Sequence, residues 1–180
     1  MLGAEINGIE WVQYSHEGKC KLIAVGNGQG AYAKAKMARG GLAAGDIIGS
    51  SGVLLASAMD APADANKPVK LYCAGEAGEL FAHTGTPFKA ETGKTIGNVN
   101  CFVNGMDYSE EAKVLLIVTG DKRIIAYSGE TDEMICEKAA AHTKGIYDVR
   151  WITTETFMTC SADNTLKLWK FDAGAKTIEE

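Results

Sequence analysis

The sequence predicts an all-β chain of repeated four-stranded units, and three observations predict it. The first is a set of complementary polar residues: His142 after an alanine, then Ser161-Ala162-Asp163, then Leu168-Trp169. The second is recurrence, because Thr119-Gly120-Asp121 stands before Ile124-Ile125-Ala126-Tyr127 in the same relative spacing. The third is a run of short alternating segments rich in β-branched and aromatic residues, separated by turns that the 21 glycines suit.

Taken in order, Ile6-Asn7-Gly8-Ile9-Glu10-Trp11 reads as a first strand, followed by residues 21 to 25. Residues 53 to 59 begin a second unit, followed by residues 69 to 73. Residues 103 to 108 and 146 to 151 each form a strand-like stretch ending in an aromatic, Tyr108 and Trp151. Those aromatics lie about one period apart, close to the ~40–45-residue spacing of a four-stranded repeat. Four units result, over residues 5–52, 53–102, 103–145 and 146–180, with the first two the most decayed.

The polar set can close into one buried chain of hydrogen bonds. The Trp169 N–H donates to the Ser161 hydroxyl, the hydroxyl to the His142 imidazole, and the Asp163 carboxylate accepts from the other ring nitrogen. Each polar group then has a partner, the condition for burial inside a sheet. Thr119, Asp121 and Tyr127 would form a partial version. In the second unit Gly75, Ala77 and His83 occupy the corresponding positions and leave that network out.

Composition narrows the function classes. The chain has 180 residues, 46% apolar and 23% charged, enough for one domain with a sizeable core. No apolar run approaches the ~20 residues of a membrane-spanning helix, and residues 1 to 10 lack the basic leader and apolar segment of a secretory signal. The five cysteines (20, 73, 101, 136, 160) are odd in number and without a Cys-x-x-Cys pair, the pattern of reduced, mostly buried thiols. Three scattered histidines offer no metal cluster, and a net charge of −5 disfavours a nucleic-acid surface. The expectation is a cytoplasmic protein without cofactor, metal or membrane contact.

The His, Ser-Ala-Asp and Trp pattern resembles the tetrad of a WD-repeat β-propeller blade. Such propellers close with four to eight blades, commonly seven in this class, so four irregular units imply a partial propeller or a fragment of a seven-bladed ring. The open end blades invite another chain to complete them. Within WD-repeat proteins the chain is similar to the actin-interacting protein 1 family. The stretches that carry this are Lys21-Leu22-Ile23-Ala24-Val25-Gly26-Asn27-Gly28, Lys67-Pro68-Val69-Lys70-Leu71 leading to Gly85-Thr86-Pro87-Phe88-Lys89, and Ala141-His142-Thr143-Lys144-Gly145-Ile146-Tyr147. Phe102-Val103-Asn104 and Tyr127-Ser128-Gly129-Glu130-Thr131 add to them. The resemblance implies a protein–protein interaction scaffold of the cytoskeleton, binding actin and cofilin to promote filament disassembly.

Carried over residue by residue, that family's binding face maps onto Glu76, Lys89 and Phe102. The chain departs from the pattern where Gly30 replaces a glutamate and Ala90 a phenylalanine. Tyr127 stands for a tryptophan, and Lys170 for the aspartate that usually follows Trp169. A changed partner, with the chain a WD-repeat scaffold of another complex, is the second reading.

A third reading starts from Gly26-Asn27-Gly28-Gln29-Gly30-Ala31, an apolar strand running into a glycine-rich turn, with Asp46 beyond. Residues 31 to 44 are rich enough in alanine and lysine to form a helix, and a helix start could cradle a pyrophosphate. A lone pattern of this kind is weak, and no βαβ continuation follows. His142, Asp163 and Ser161 also imitate a hydrolase triad, but no Gly-x-Ser-x-Gly elbow occurs, and no catalytic residue is expected. His16 and His83 read as loop or surface residues. Trp11, Trp151 and Phe88 read as core packing.

Overall fold

Runs of β-branched and aromatic residues, cut by Gly-, Asn- and Asp-containing turns, fold here into short strands. The computed structural model describes residues 6–13, 20–26, 31–38, 41–49, 54–60, 70–84 and 93–180, and up to residue 54 it describes backbone pairing only. Among the described residues, sixteen strands form four antiparallel sheets, each taking its strands in chain order. The first holds β1 (Ile6–Gln13), β2 (Cys20–Gly26), β3 (Ala31–Ala38) and β4 (Gly41–Gly49). The second holds β5 (Leu54–Asp60), β6 (Lys70–Gly75), β7 (Glu79–Thr84) and β8 (Gly93–Asn98). The third holds β9 (Val103–Ser109), β10 (Val114–Thr119), β11 (Ile124–Ser128) and β12 (Met134–Lys138). The fourth holds β13 (Ile146–Trp151), β14 (Thr156–Ser161), β15 (Leu166–Asp172) and β16 (Thr177–Glu179).

Successive sheets stack face to face, and their first strands meet most directly. β5 lies beside β1 and β9, and β9 beside β13. The arrangement is a series of propeller blades. The helix that the dinucleotide reading requires over residues 31 to 44 is not there: β3 and β4 pair as a hairpin within a four-stranded unit, with Met37 opposite Leu42 and Tyr32 opposite Ile48. Alanine and lysine favour a helix only weakly, and tertiary pairing overrides that preference.

The core lies between sheets, and its pattern shows where each sheet sits. All six residues of β10 are buried. Leu115 and Ile117 join an apolar cluster with Tyr72, Leu80 and Val103 on the second-sheet side. Val114, Leu116 and Val118 alternate with them and meet Val149, Phe157, Trp169 and Phe171 of the fourth sheet. Side chains alternate faces along a strand, so a strand covered on both sides becomes a continuous apolar run. Each such Leu or Ile contributes roughly 1.5–3 kcal/mol on burial. In the fourth sheet β14 and β15 instead alternate buried and open residues.

The β6–β7, β10–β11 and β14–β15 turns place Gly78 (φ +91°), Lys122 (φ 74°) and Asn164 (φ 67°) at one equivalent, left-handed position. Glycine takes that conformation freely. A β-carbon on Gly78 would also lie 2.6 Å from the Cys101 carbonyl oxygen, so the turn can approach the following loop only without one.

Two expectations about burial need correcting. His83 is buried on β7, 3% exposed, opposite Leu71. It takes the register position that Trp169 holds in the fourth sheet, which faces inward whatever residue fills it. Of the described cysteines only Cys73 is buried, while Cys101, Cys136 and Cys160 are partly exposed; all four are free thiols. His16 and Phe88 lie outside the described residues, as does the side chain of Trp11.

Candidate functional site

The fourth sheet holds a buried hydrogen-bonded chain, with one member different from the sequence expectation. The Trp169 Nε1–H donates to the Thr159 hydroxyl at 2.8 Å, and Thr159 Oγ1 lies 2.7 Å from His142 Nε2. His142 Nδ1 lies 3.0 Å from Asp163 Oδ2. An indole N–H can only donate, so the Thr159 proton is left for Nε2, and Nδ1–H then donates to the carboxylate. Thr159, His142 and Trp169 are all buried.

Ser161, expected as the linking hydroxyl, bonds elsewhere. Its Oγ donates to the carbonyls of Gly145 at 2.9 Å and Lys144 at 3.2 Å, and accepts the Asp163 N–H. The reason is strand geometry. Trp169 pairs with Phe157, and the same-face diagonal neighbour of that pair is Thr159. Ser161 sits one further alternation along, at the turn, where it ties the preceding loop to the sheet.

Asp163 gathers the loop around it. Its carboxyl is held well below the usual aspartate range, chiefly by the Thr165 hydroxyl; burial pushes the other way, and the Thr143 N–H and the His142 ring add to the lowering. The resemblance to a hydrolase triad ends at Thr159: the residue is 1% exposed and its hydroxyl is already engaged by the tryptophan.

In the third sheet the expected partial set is not joined. Thr119 Oγ1 donates to Asp121 Oδ1 at 2.5 Å, but Tyr127 lies at the other end of the hairpin, opposite Leu115. Tyr127 packs in the apolar cluster against the second sheet. Ile117 occupies the register position of Thr159, so no hydroxyl stands between aromatic and loop. Arg123 provides a different tie: its guanidinium donates to Asp121 (2.9 Å), Glu137 (3.1 Å) and the Val99 carbonyl (2.5 Å).

These turns and the loops beside them form a rim that carries two of the residues the resemblance singles out. Glu76 is exposed in the β6–β7 turn. Phe102 is 48% exposed in the β8–β9 connection, its ring lying over Gly120, where any β-carbon would collide with it. The Gly120 N–H donates to the Phe102 carbonyl at 3.2 Å, and the Val99 N–H to the Gly78 carbonyl at 2.9 Å. Glu76 and Phe102 therefore belong to neighbouring loops of one rim. Lys89, Gly30 and Ala90 lie outside the described residues. Thr84 and Gly93, the described residues that flank Lys89, stand at the end of the second sheet away from Glu76. Among the described residues no group of three or more His, Cys, Asp or Glu could hold a metal ion.

Residues 135–170, which span β12 to β15 and the whole polar chain, match the model of the WD domain, G-beta repeat. This chain carries a WD repeat. It is similar to actin-interacting protein 1 of Drosophila melanogaster, 28% identical over 155 residues, covering 85% of this chain and 24% of that protein. It is also similar to WD repeat-containing protein 1 of Rattus norvegicus and of Mus musculus, each 27% identical over 168 residues, 92% of this chain and 26% of the relative. The WD-repeat chain thus spans about a quarter of the length of the curated relatives it matches.

Proposed function

We propose that this WD-repeat scaffold binds actin filaments together with cofilin and promotes filament disassembly, in the cytoplasm and at the cytoskeleton. The observation that carries this reading is the similarity to an actin-interacting protein, which extends over 85% of the chain rather than over the matched repeat alone. The rim supports it: a carboxylate and an aromatic ring, Glu76 and Phe102, stand exposed on neighbouring loops. Lys89 belongs to the set by the resemblance alone, and the described residues that flank it stand at the opposite end of the sheet from Glu76. The mechanism is binding without chemistry, in which blades held rigid by their cores present loops to a filament.

The dinucleotide reading loses its main support, because the chain after the glycine-rich turn runs as strand β3 and offers no helix start to a pyrophosphate.

Cosedimentation with F-actin, with and without cofilin, tests the proposal. The expected result is pelleting that rises when cofilin is present and falls in Phe102→Ala and Glu76→Lys. An interface anchor of this kind is worth about 2 kcal/mol or more, which corresponds to an affinity loss of roughly thirtyfold. Pelleting that ignores cofilin, or that both variants leave unchanged, sinks the reading. A WD-repeat scaffold of another complex then becomes the better description.

A further inference from the structure

The loops leading into the third and fourth sheets each cross a turn of that sheet, and the two crossings differ in which side carries a side chain. In the third sheet the Gly120 N–H donates to the Phe102 carbonyl at 3.2 Å; in the fourth the Ala162 N–H donates to the Gly145 carbonyl at 3.0 Å. Gly120 and Ala162 are equivalent, each following the residue whose carbonyl closes the turn, Thr119 or Ser161. Phe102 is therefore the counterpart of Gly145. One member of each pair is glycine. In the fourth sheet the turn carries the side chain, a methyl, whereas in the third the loop carries it, a phenyl ring on a residue 48% exposed. The second sheet has Glu76 at the same turn position, after Gly75, whose carbonyl accepts the Gly78 N–H at 3.1 Å.

The Phe102 ring has little freedom, because its backbone is pinned at both ends of the loop. The Val99 N–H donates to the Gly78 carbonyl at 2.9 Å, and the Phe102 carbonyl is held by Gly120. The turn itself is closed in from the other side, since a β-carbon on Gly145 would lie 3.0 Å from the Gly120 carbonyl oxygen. What remains is rotation of the Phe102 side chain, and its ring fills the space that a β-carbon on residue 120 would need. Such a carbon would strike Cε2 and Cζ, the far edge of the ring, and no backbone atom lies as near. Gly120 is not in the left-handed region, so backbone freedom does not account for this glycine. Room for the ring does.

We propose that Gly120 is a positioning residue for partner binding: by lacking a β-carbon it seats the Phe102 ring over the β10–β11 turn, so that the rim presents a preset aromatic contact to an apolar pocket of the partner. The inference rests on the reading that Phe102 meets cofilin-decorated actin. A seated ring gives up little freedom on binding. A displaced ring must be ordered again at the interface, at about threefold to tenfold in affinity.

Cosedimentation of the full protein with cofilin-decorated F-actin tests this with Gly120→Ala, Phe102→Ala and the double variant. Gly120→Ala should weaken binding about threefold to tenfold, and Phe102→Ala roughly thirtyfold. The double variant should bind no worse than Phe102→Ala, because no ring is left to displace. The urea midpoint of Gly120→Ala should hold or rise, since alanine restricts the unfolded chain and strains nothing in the backbone. Wild-type affinity in Gly120→Ala beside a weakened Phe102→Ala overturns the inference and leaves the actin reading standing. Wild-type affinity in Phe102→Ala overturns both. An equal loss from Gly120→Ala in either background also overturns the inference, because the glycine then acts without the ring. If Gly120→Ala does not fold, proton NMR of the wild type and of Phe102→Ala decides. A ring-current shift of the Gly120 α-protons that vanishes in Phe102→Ala, together with that variant's lost binding, upholds the proposal; α-protons at one position in both proteins overturn it.

Discussion

The third and fourth sheets share one backbone plan and hold it together by opposite means. In the fourth, the loop before the sheet is tied in by a buried polar chain through His142, Thr159, Trp169 and Asp163. In the third, Ile117 and Tyr127 fill the same register positions and contribute apolar packing, while the tie moves to the surface fork of Arg123. The difference lies in single residues: Ile117 stands where Thr159 links the chain, so the third sheet has apolar packing there and no hydroxyl to pass a hydrogen bond on. A buried chain of this kind holds its geometry only while every member has a partner.

The largest test of that contrast removes the linking hydroxyl. Thr159→Val conserves shape but orphans the Trp169 N–H and the His142 Nε2, each at roughly 1–3 kcal/mol. Ser161→Ala, which loses ordinary bonds to loop carbonyls, should cost only about 1 kcal/mol. In the third sheet Ile117→Val removes one methyl from an apolar site, for about 0.5–1.5 kcal/mol. Urea unfolding midpoints rank the three. If Ser161→Ala proves as damaging as Thr159→Val, the assignment of the link to Thr159 is wrong.

Acid sharpens the comparison next. The Asp163 carboxyl is held below its ordinary value of 3.8, so its contribution is present above that pH and is lost as pH falls through the folded-state value. Asp121 in the third sheet is also lowered, although burial pushes it up, because hydrogen bonds from Arg123 and Thr119 outweigh that cost. Asp172 is lowered as well, by the Ala175 and Gly174 N–H groups. Asp163→Asn should therefore lower stability at pH 7 and flatten, without abolishing, the loss of stability between pH 4 and pH 2. An unchanged slope in the variant would mean that the loop around Asp163 does not depend on its charge.

Much of this was legible in the residues. The hydroxyl, acid and aromatic recur at fixed spacing, and that spacing reflects one turn, from Thr119 to Arg123 and from Ser161 to Thr165, closed by the same backbone bond. The misassigned link came from reading along the chain instead of across the sheet. Trp169 reaches the same-face neighbour of its pairing partner, two residues before the turn serine, and that neighbour is threonine in the fourth sheet but isoleucine in the third. His83 misled because polarity was weighed above register. Residues 31 to 44 carry a local preference for helix, which served only the rejected dinucleotide reading and which pairing with β2 and β4 overrides. The proposed partner rim was not legible from pattern, since exposure at Glu76 and Phe102 carries no periodic signal; the proposal rests on the resemblance and on the neighbouring loops.

The smallest effect is expected at the turns. Gly78, Lys122 and Asn164 hold equivalent left-handed positions, and the first two carbonyls accept the N–H that begins the next loop, Val99 at 2.9 Å and Ala141 at 3.0 Å. The anchor is thus the backbone, and the side chain at this position is free to vary if the conformation is tolerated. Glycine tolerates it without cost and asparagine with little, whereas lysine bears the steric penalty of the left-handed region, about 1–2 kcal/mol. Replacing lysine by glycine also loosens the unfolded chain, which offsets part of the relief. Lys122→Gly should therefore stabilise the protein by only about 0.5–1 kcal/mol, measured as a rise in the urea midpoint at unchanged slope. A loss of stability instead would mean that the Lys122 side chain, and not the carbonyl beside it, holds the third sheet to the loop that leads into the fourth.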